Sequence, residues 1–157
     1  MKYHIVAASG AFLALLLSTF RPAFPQAATA PSKIEVRVHY SGSGTVDEKH
    51  KIYVVVWDSP EFAKSGGVMP AAIESTSSKD GVVTFSDVKK TPAYVSAAYD
   101  PSGQWDAQSP PPEGSSLGLY SKTPGTPAPI NIKPGKTATI QLPFDDSVKM
   151  RSGQPTR

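Results

Sequence analysis

From Lys33 to Tyr40 apolar and polar positions alternate without a break. Ile34, Val36, Val38 and Tyr40 fall on one face, and Lys33, Glu35, Arg37 and His39 on the other. A period of two sustained this long predicts a strand buried on one side. Ser41-Gly42-Ser43-Gly44 ends it, because glycine reaches the backbone angles that turns need. Lys51 to Trp57 (KIYVVVW) is instead a near-continuous β-branched and aromatic run. It predicts a central strand covered on both faces. Asp58-Ser59-Pro60 breaks that run, and Glu61 to Gly67 reads as a loop or one short helical turn.

Val68 to Ser75 is a weaker strand that Pro70, lacking an N–H, confines to an edge or a strand start. The turn Lys79-Asp80-Gly81 opens a strand at Val82 to Phe85, and Pro92 introduces another at Ala93 to Tyr99. Ala128 to Lys133, the turn Pro134-Gly135-Lys136 and Thr137 to Phe144 read as a closing hairpin. The predicted core is Ile34, Val36, Val38, Ile52, Val54, Val56, Val83, Phe85, Val95, Ala97, Ile132, Ile140 and Leu142. No stretch after residue 30 carries a helical period. Short strands at this spacing predict an all-β fold, a single antiparallel β-sandwich of about seven strands. The exception is Asp100 to Pro127, where six prolines leave only Leu117 to Tyr120 able to pair. Connections this long are uncommon unless functional or disordered.

The first thirty residues change the picture of charge and compartment. Met1-Lys2-Tyr3-His4 precedes an apolar run from Ile5 to Phe20, and Ala28-Thr29-Ala30 has the small-x-small pattern a signal peptidase cuts. The run is shorter than the roughly 20 residues of a membrane span, so residues 1–30 are expected to be a secretory signal peptide. Residues 31–144 then form the domain and 145–157 a flexible polar tail. The leader takes Lys2 and Arg21 with it and no acid, so the +3 of the whole chain becomes +1, 14 bases against 13 acids. A net charge that small removes the main support for nucleic-acid binding. No membrane partner is expected once the leader is cut. The chain has no cysteine, which excludes disulfides, zinc-thiolate sites and thiol catalysis.

The run Asp80-Gly81-x-x-x-Phe85-x-x-Val88, followed by Val95-x-Ala97 and Asp100, resembles the carboxypeptidase regulatory-like domains, small transthyretin-like (prealbumin-like) sandwiches. The layout is closest to short exported bacterial proteins with that sandwich. In those, a strand like Ile52 to Trp57 ends in an Asp-Ser-Pro-like turn, and a Pro-x-Glu-Gly stretch is matched here by Pro111-Pro112-Glu113-Gly114. The resemblance implies an Ig-like or transthyretin-like fold, a periplasmic or secreted address, and a non-catalytic module. This chain departs from the pattern in two places. Thr91-Pro92-Ala93-Tyr94 stands where the family opens a strand with tyrosine, and the loop Asp100 to Asp106 carries fewer Asp and Asn side chains.

Two chemistries compete for the long loop, each against a purely structural reading. Asp100, Ser102, Gln104 and Asp106 place oxygens at alternate positions, the spacing of a loop that wraps a calcium ion. The same residues equally form an Asx-type turn around Asp100. Trp105, Tyr99 and Tyr120 lie in or beside the loop, and flat aromatic rings with polar tips suit sugar faces. Trp105 equally serves as a lid closing the open end of the sandwich. No catalytic residues are expected: His39 and His50 are the histidines after the leader, and no nucleophile elbow or metal-binding histidine pair is present. The first strand, Lys33 to Tyr40, fits a sheet edge open to a partner strand, while its Lys33, Glu35 and Arg37 equally read as charges that prevent edge pairing. The expected partner is thus a protein or a glycan, with specificity in residues 100–127.

Overall fold

The computed structural model describes residues 31–64 and 67–151. The expected signal peptide lies outside these residues, as does the end of the tail from 152 to 157. The described chain is all-β, with nine strands in three sheets. They are β1 (Ser32–Tyr40), β2 (Ile52–Trp57), β3 (Ala72–Thr76), β4 (Val82–Val88), β5 (Tyr94–Tyr99), β6 (Ser116–Leu119), β7 (Ser121–Thr123), β8 (Thr126–Pro127) and β9 (Thr137–Phe144). A three-stranded sheet runs β4-β1-β9, a four-stranded sheet runs β3-β2-β5-β6, and β7-β8 form a small ribbon. Pro60–Ala63 makes a 3-10 turn, entered through Ser59, whose Oγ accepts from the Glu61 N–H at 3.2 Å.

The alternating residues do what their period demands. Ile34, Val36, Val38 and Tyr40 of β1 meet Ile52, Val54 and Val56 of β2 and Val95, Ala97 and Tyr99 of β5 in one buried cluster. Every predicted core residue is a member, and Ile34, Val36, Ile52, Val54, Val95 and Leu142 are fully sealed from solvent. Burying a Val or Ile side chain contributes about 1.5–3 kcal/mol, so this cluster supplies the main force holding the two larger sheets together. Among the described residues its members run from Ile34 to Phe144. The outer face of β2 is covered too: Val55 is 6 % exposed, and Trp57 stacks on Phe62 of the 3-10 turn with centroids 4.6 Å apart.

Three expectations are corrected. Strand β1 is not an edge: it lies between β4 and β9, because its second partner comes from the far end of the chain. The sheet it centres is mixed, since β9 runs parallel to β1 in register from Lys33↔Thr137 to Tyr40↔Phe144. The closing hairpin also does not form. Its turn is present, with Lys136 N–H donating to Lys133 at 3.0 Å, but Ala128 to Lys133 makes only an isolated bridge, Ala93↔Ile130. Pro127, Pro129 and Pro134 remove donors that a ladder needs. The Pro70 segment lies at the sheet edge as expected, but its strand is Ala72–Thr76 and not Val68 to Ser75, with Ala71 N–H donating to Val56 at 2.8 Å just ahead of it.

Candidate functional site

Strand β5 ends at Tyr99, and the chain then folds a stapled loop rather than an open one. Asp100 is 4 % exposed. Its Oδ1 accepts from Ser102 N–H at 2.9 Å, and its Oδ2 accepts from Ser102 Oγ at 2.6 Å, Gln104 N–H at 3.1 Å and Trp105 N–H at 3.0 Å. Burial opposes ionisation, but these hydrogen bonds outweigh it and hold the Asp100 carboxyl below the ordinary aspartate range. Gly103 sits at φ +64°, and a Cβ there would lie 2.8 Å from His50 Cδ2 and 2.9 Å from the Lys49 carbonyl. The loop is thereby pressed against the 47–50 turn, itself closed by Asp47, whose Oδ1 accepts from the N–H groups of Lys49 and His50 and bonds His50 Nδ1 at 2.8 Å.

The staple delivers Trp105 onto the outer face of β2. Its ring meets Tyr53 edge-on, with centroids 4.9 Å apart and planes at 69°, a favourable aromatic geometry. Its Nε1 donates to the Ser109 carbonyl at 2.9 Å. Trp105 is half-buried, and it covers the outer sheet face instead of the open end of the sandwich. Beside it lies a depression of about 220 Å³ lined by Tyr53, Ile73, Glu74, Ser75, Asp106, Ala107 and Gln108. Ala107 is held at φ +62°, the left-handed region that costs an L-residue roughly 1–2 kcal/mol. Such local strain concentrates at functional sites.

The residues singled out in the sequence do not come together as one surface. Tyr99 is core: 2 % exposed, ring against Tyr40 at 4.9 Å, hydroxyl donating to the Thr45 carbonyl at 2.8 Å. Burial raises its pKa, so the hydroxyl stays a donor. Tyr120 is half-buried against the core, where its backbone bridges Val95 and Ala128. The alternate oxygens of 100–106 are spent on local turns, Asp100 on residues 102–105 and Asp106 on the Gln108 N–H at 3.0 Å. Carboxylate lone pairs facing N–H donors are not presented to a cation. Among the described residues no group of three or more His, Asp or Glu side chains is arranged to hold a metal ion. Tyr53 was missed because a near-continuous apolar run gives no sign of which residues face outward.

A second network closes the same end of the molecule. Asp146 Oδ1 accepts from Tyr40 Oη at 2.6 Å and Ser116 Oγ at 2.7 Å, while Oδ2 accepts from Ser43 N–H and Oγ, both at 2.9 Å. Lys149 Nζ lies 3.6 Å away. The Ser116, Tyr40 and Ser43 hydrogen bonds hold the Asp146 carboxyl far below the usual range. Burial and the Asp146 carboxylate push the Tyr40 phenol up to about 12. The segment expected to begin a free tail is therefore pinned as far as Met150, where Leu117 N–H donates to Val148 and Met150 N–H to Ser115, both at 2.8 Å. It covers the open edge of β6.

No protein-family model, curated protein or solved structure matches this chain.

Proposed function

We propose that this chain is an exported, non-catalytic binding module of the carboxypeptidase regulatory-like kind, with its specificity in the loop that follows β5. Two larger sheets of seven strands, with β1, β2, β4, β5 and β9 supplying one core, support the sandwich part of the reading. The observation that carries the binding part is the stapled loop. Asp100 fixes four donors, and the outcome is a half-buried Trp105 on Tyr53 beside a depression of about 220 Å³. A site whose backbone is ordered before the ligand arrives avoids much of the entropic cost of binding.

A glycan is the second reading, favoured by a lining of aromatic Tyr53 with polar Glu74, Ser75, Asp106 and Gln108, and by Trp105 packed against that Tyr53 ring. The partner of Trp105 in that reading is Tyr53, not Tyr120. Affinity electrophoresis of residues 31–157 through gels holding single polysaccharides tests both readings, with Trp105→Ala, Tyr53→Ala and Tyr120→Ala run alongside. A retarding polymer should lose its hold on the first two variants and keep it on the third. Retardation that survives Trp105→Ala and Tyr53→Ala would move the site elsewhere. A panel without retardation would remove the glycan reading and leave a protein ligand.

A further inference from the structure

The net charge of +1 after residue 30 conceals a strongly polarised molecule. The strand register sets which residues share an end. Ser32 pairs with Val88 and Lys33 with Thr137, so the start of β1, the end of β4 and the start of β9 lie together. Trp57 pairs with Tyr94, Ser96 pairs with Leu119, and Lys90 bonds Asp58 at 3.1 Å, which brings the end of β2, the start of β5 and the end of β6 to the same pole. Five exposed lysines stand there, Lys33, Lys89, Lys90, Lys133 and Lys136. Lys64 after the 3-10 turn and Lys122 on β7 stand beside them. Against these seven are Asp58, Glu61 and Asp87, a local net of +4.

The opposite pole, fixed by the Tyr40–Tyr99 and Tyr40–Phe144 ring contacts, is acidic. Eight acids in segments 47–48, 80, 100–113 and 145–146 face five bases, Lys49, Lys51, Lys79, Lys149 and Arg151, a local net of −3. The nine residues of β1 separate the poles by about 30 Å, several screening lengths of roughly 8 Å at physiological salt. Each pole therefore acts on its surroundings alone.

We infer that the basic pole docks on an anionic phospholipid surface, holding the domain with its Trp105 loop facing away. Two observations favour a bilayer over a polyanionic chain. The lysines come from five separate strand ends and turns spread over the pole, and of the seven only Lys64 lines the depression of about 380 Å³ between the 3-10 turn and β8, so most of the charge is not gathered along one groove. Among the described residues Lys33, Lys133 and Lys136 have no carboxylate partner, so their charge is free for lipid headgroups. Each lysine near such a surface contributes about a fivefold gain in binding. This inference does not depend on what the Trp105 loop binds.

The test is vesicle co-sedimentation of residues 31–157, which carry every member of the described core, with folding of the parent and of each variant checked by circular dichroism. Vesicles of phosphatidylcholine with about 30 % phosphatidylglycerol are compared with phosphatidylcholine alone, at about 50 mM and about 300 mM salt. Binding is expected only to the anionic vesicles and to collapse at the higher salt. Lys33→Gln/Lys133→Gln/Lys136→Gln should weaken it roughly a hundredfold. Lys49→Gln/Lys51→Gln/Arg151→Gln removes the same charge from the other pole and should change it little. Equal loss in both triple variants, no binding to anionic vesicles, or tighter lysine-dependent binding to a soluble anionic polysaccharide would each overturn the inference.

Discussion

At the scale of single residues, two aspartates do most of the organising, and both work as acceptors of converging donors. Asp100 folds the loop that carries Trp105, and Asp146 ties β1, β6 and the 41–44 turn to the chain that leaves β9. Both carboxyls lie below their ordinary range in the folded protein. A depressed folded pKa means stability that is fully present above the unfolded value of about 3.9 and is lost as pH falls through the folded value. Asp146→Asn should therefore lower the melting temperature at neutral pH, and its difference from the parent should shrink steadily below about pH 4. Melting curves across that range check it; a gap that stays constant with pH would show that the charge of Asp146 contributes nothing.

At the scale of elements, local pattern and long-range partner are separate kinds of information. The alternation in β1 and β9 placed Ile34, Val36, Ile140 and Leu142 in the core, since period two alone decides which face a side chain takes. It carried nothing about β1 and β9 pairing in parallel, because a ladder between residues a hundred apart is chosen by the whole core. Trp105 and Asp100 were recognisable from their loop, whereas Tyr53 and Asp146 were not: one hides in an apolar run, and the other gains its partners only after the sheets assemble. Close packing between sheets gives a direct check. A Cβ on Gly118 of β6 would lie 2.8 Å from Phe144 Cγ of β9. Gly118→Ala should destabilise by about 1–3 kcal/mol through overpacking, read from denaturant unfolding, and an unchanged midpoint would mean the sheets are less closely apposed than described.

At the scale of the whole molecule, the strand register turns a nearly neutral chain into one with a basic pole at residue 31 and an acidic pole bearing the Trp105 loop. That separation is invisible in composition, because it depends on which strand ends meet. It also gives the stapled loop its meaning, as the end of the domain directed away from where the chain enters. The claim on which this rests is that Asp100 holds Trp105 against Tyr53. The most direct measurement is acrylamide quenching of Trp105 fluorescence in a Trp57→Phe background, where it is the one remaining tryptophan of the two. Quenching should be well below that of free indole and should rise toward it in Asp100→Ala. Quenching that already matches free indole, or that Asp100→Ala leaves unchanged, would contradict the account.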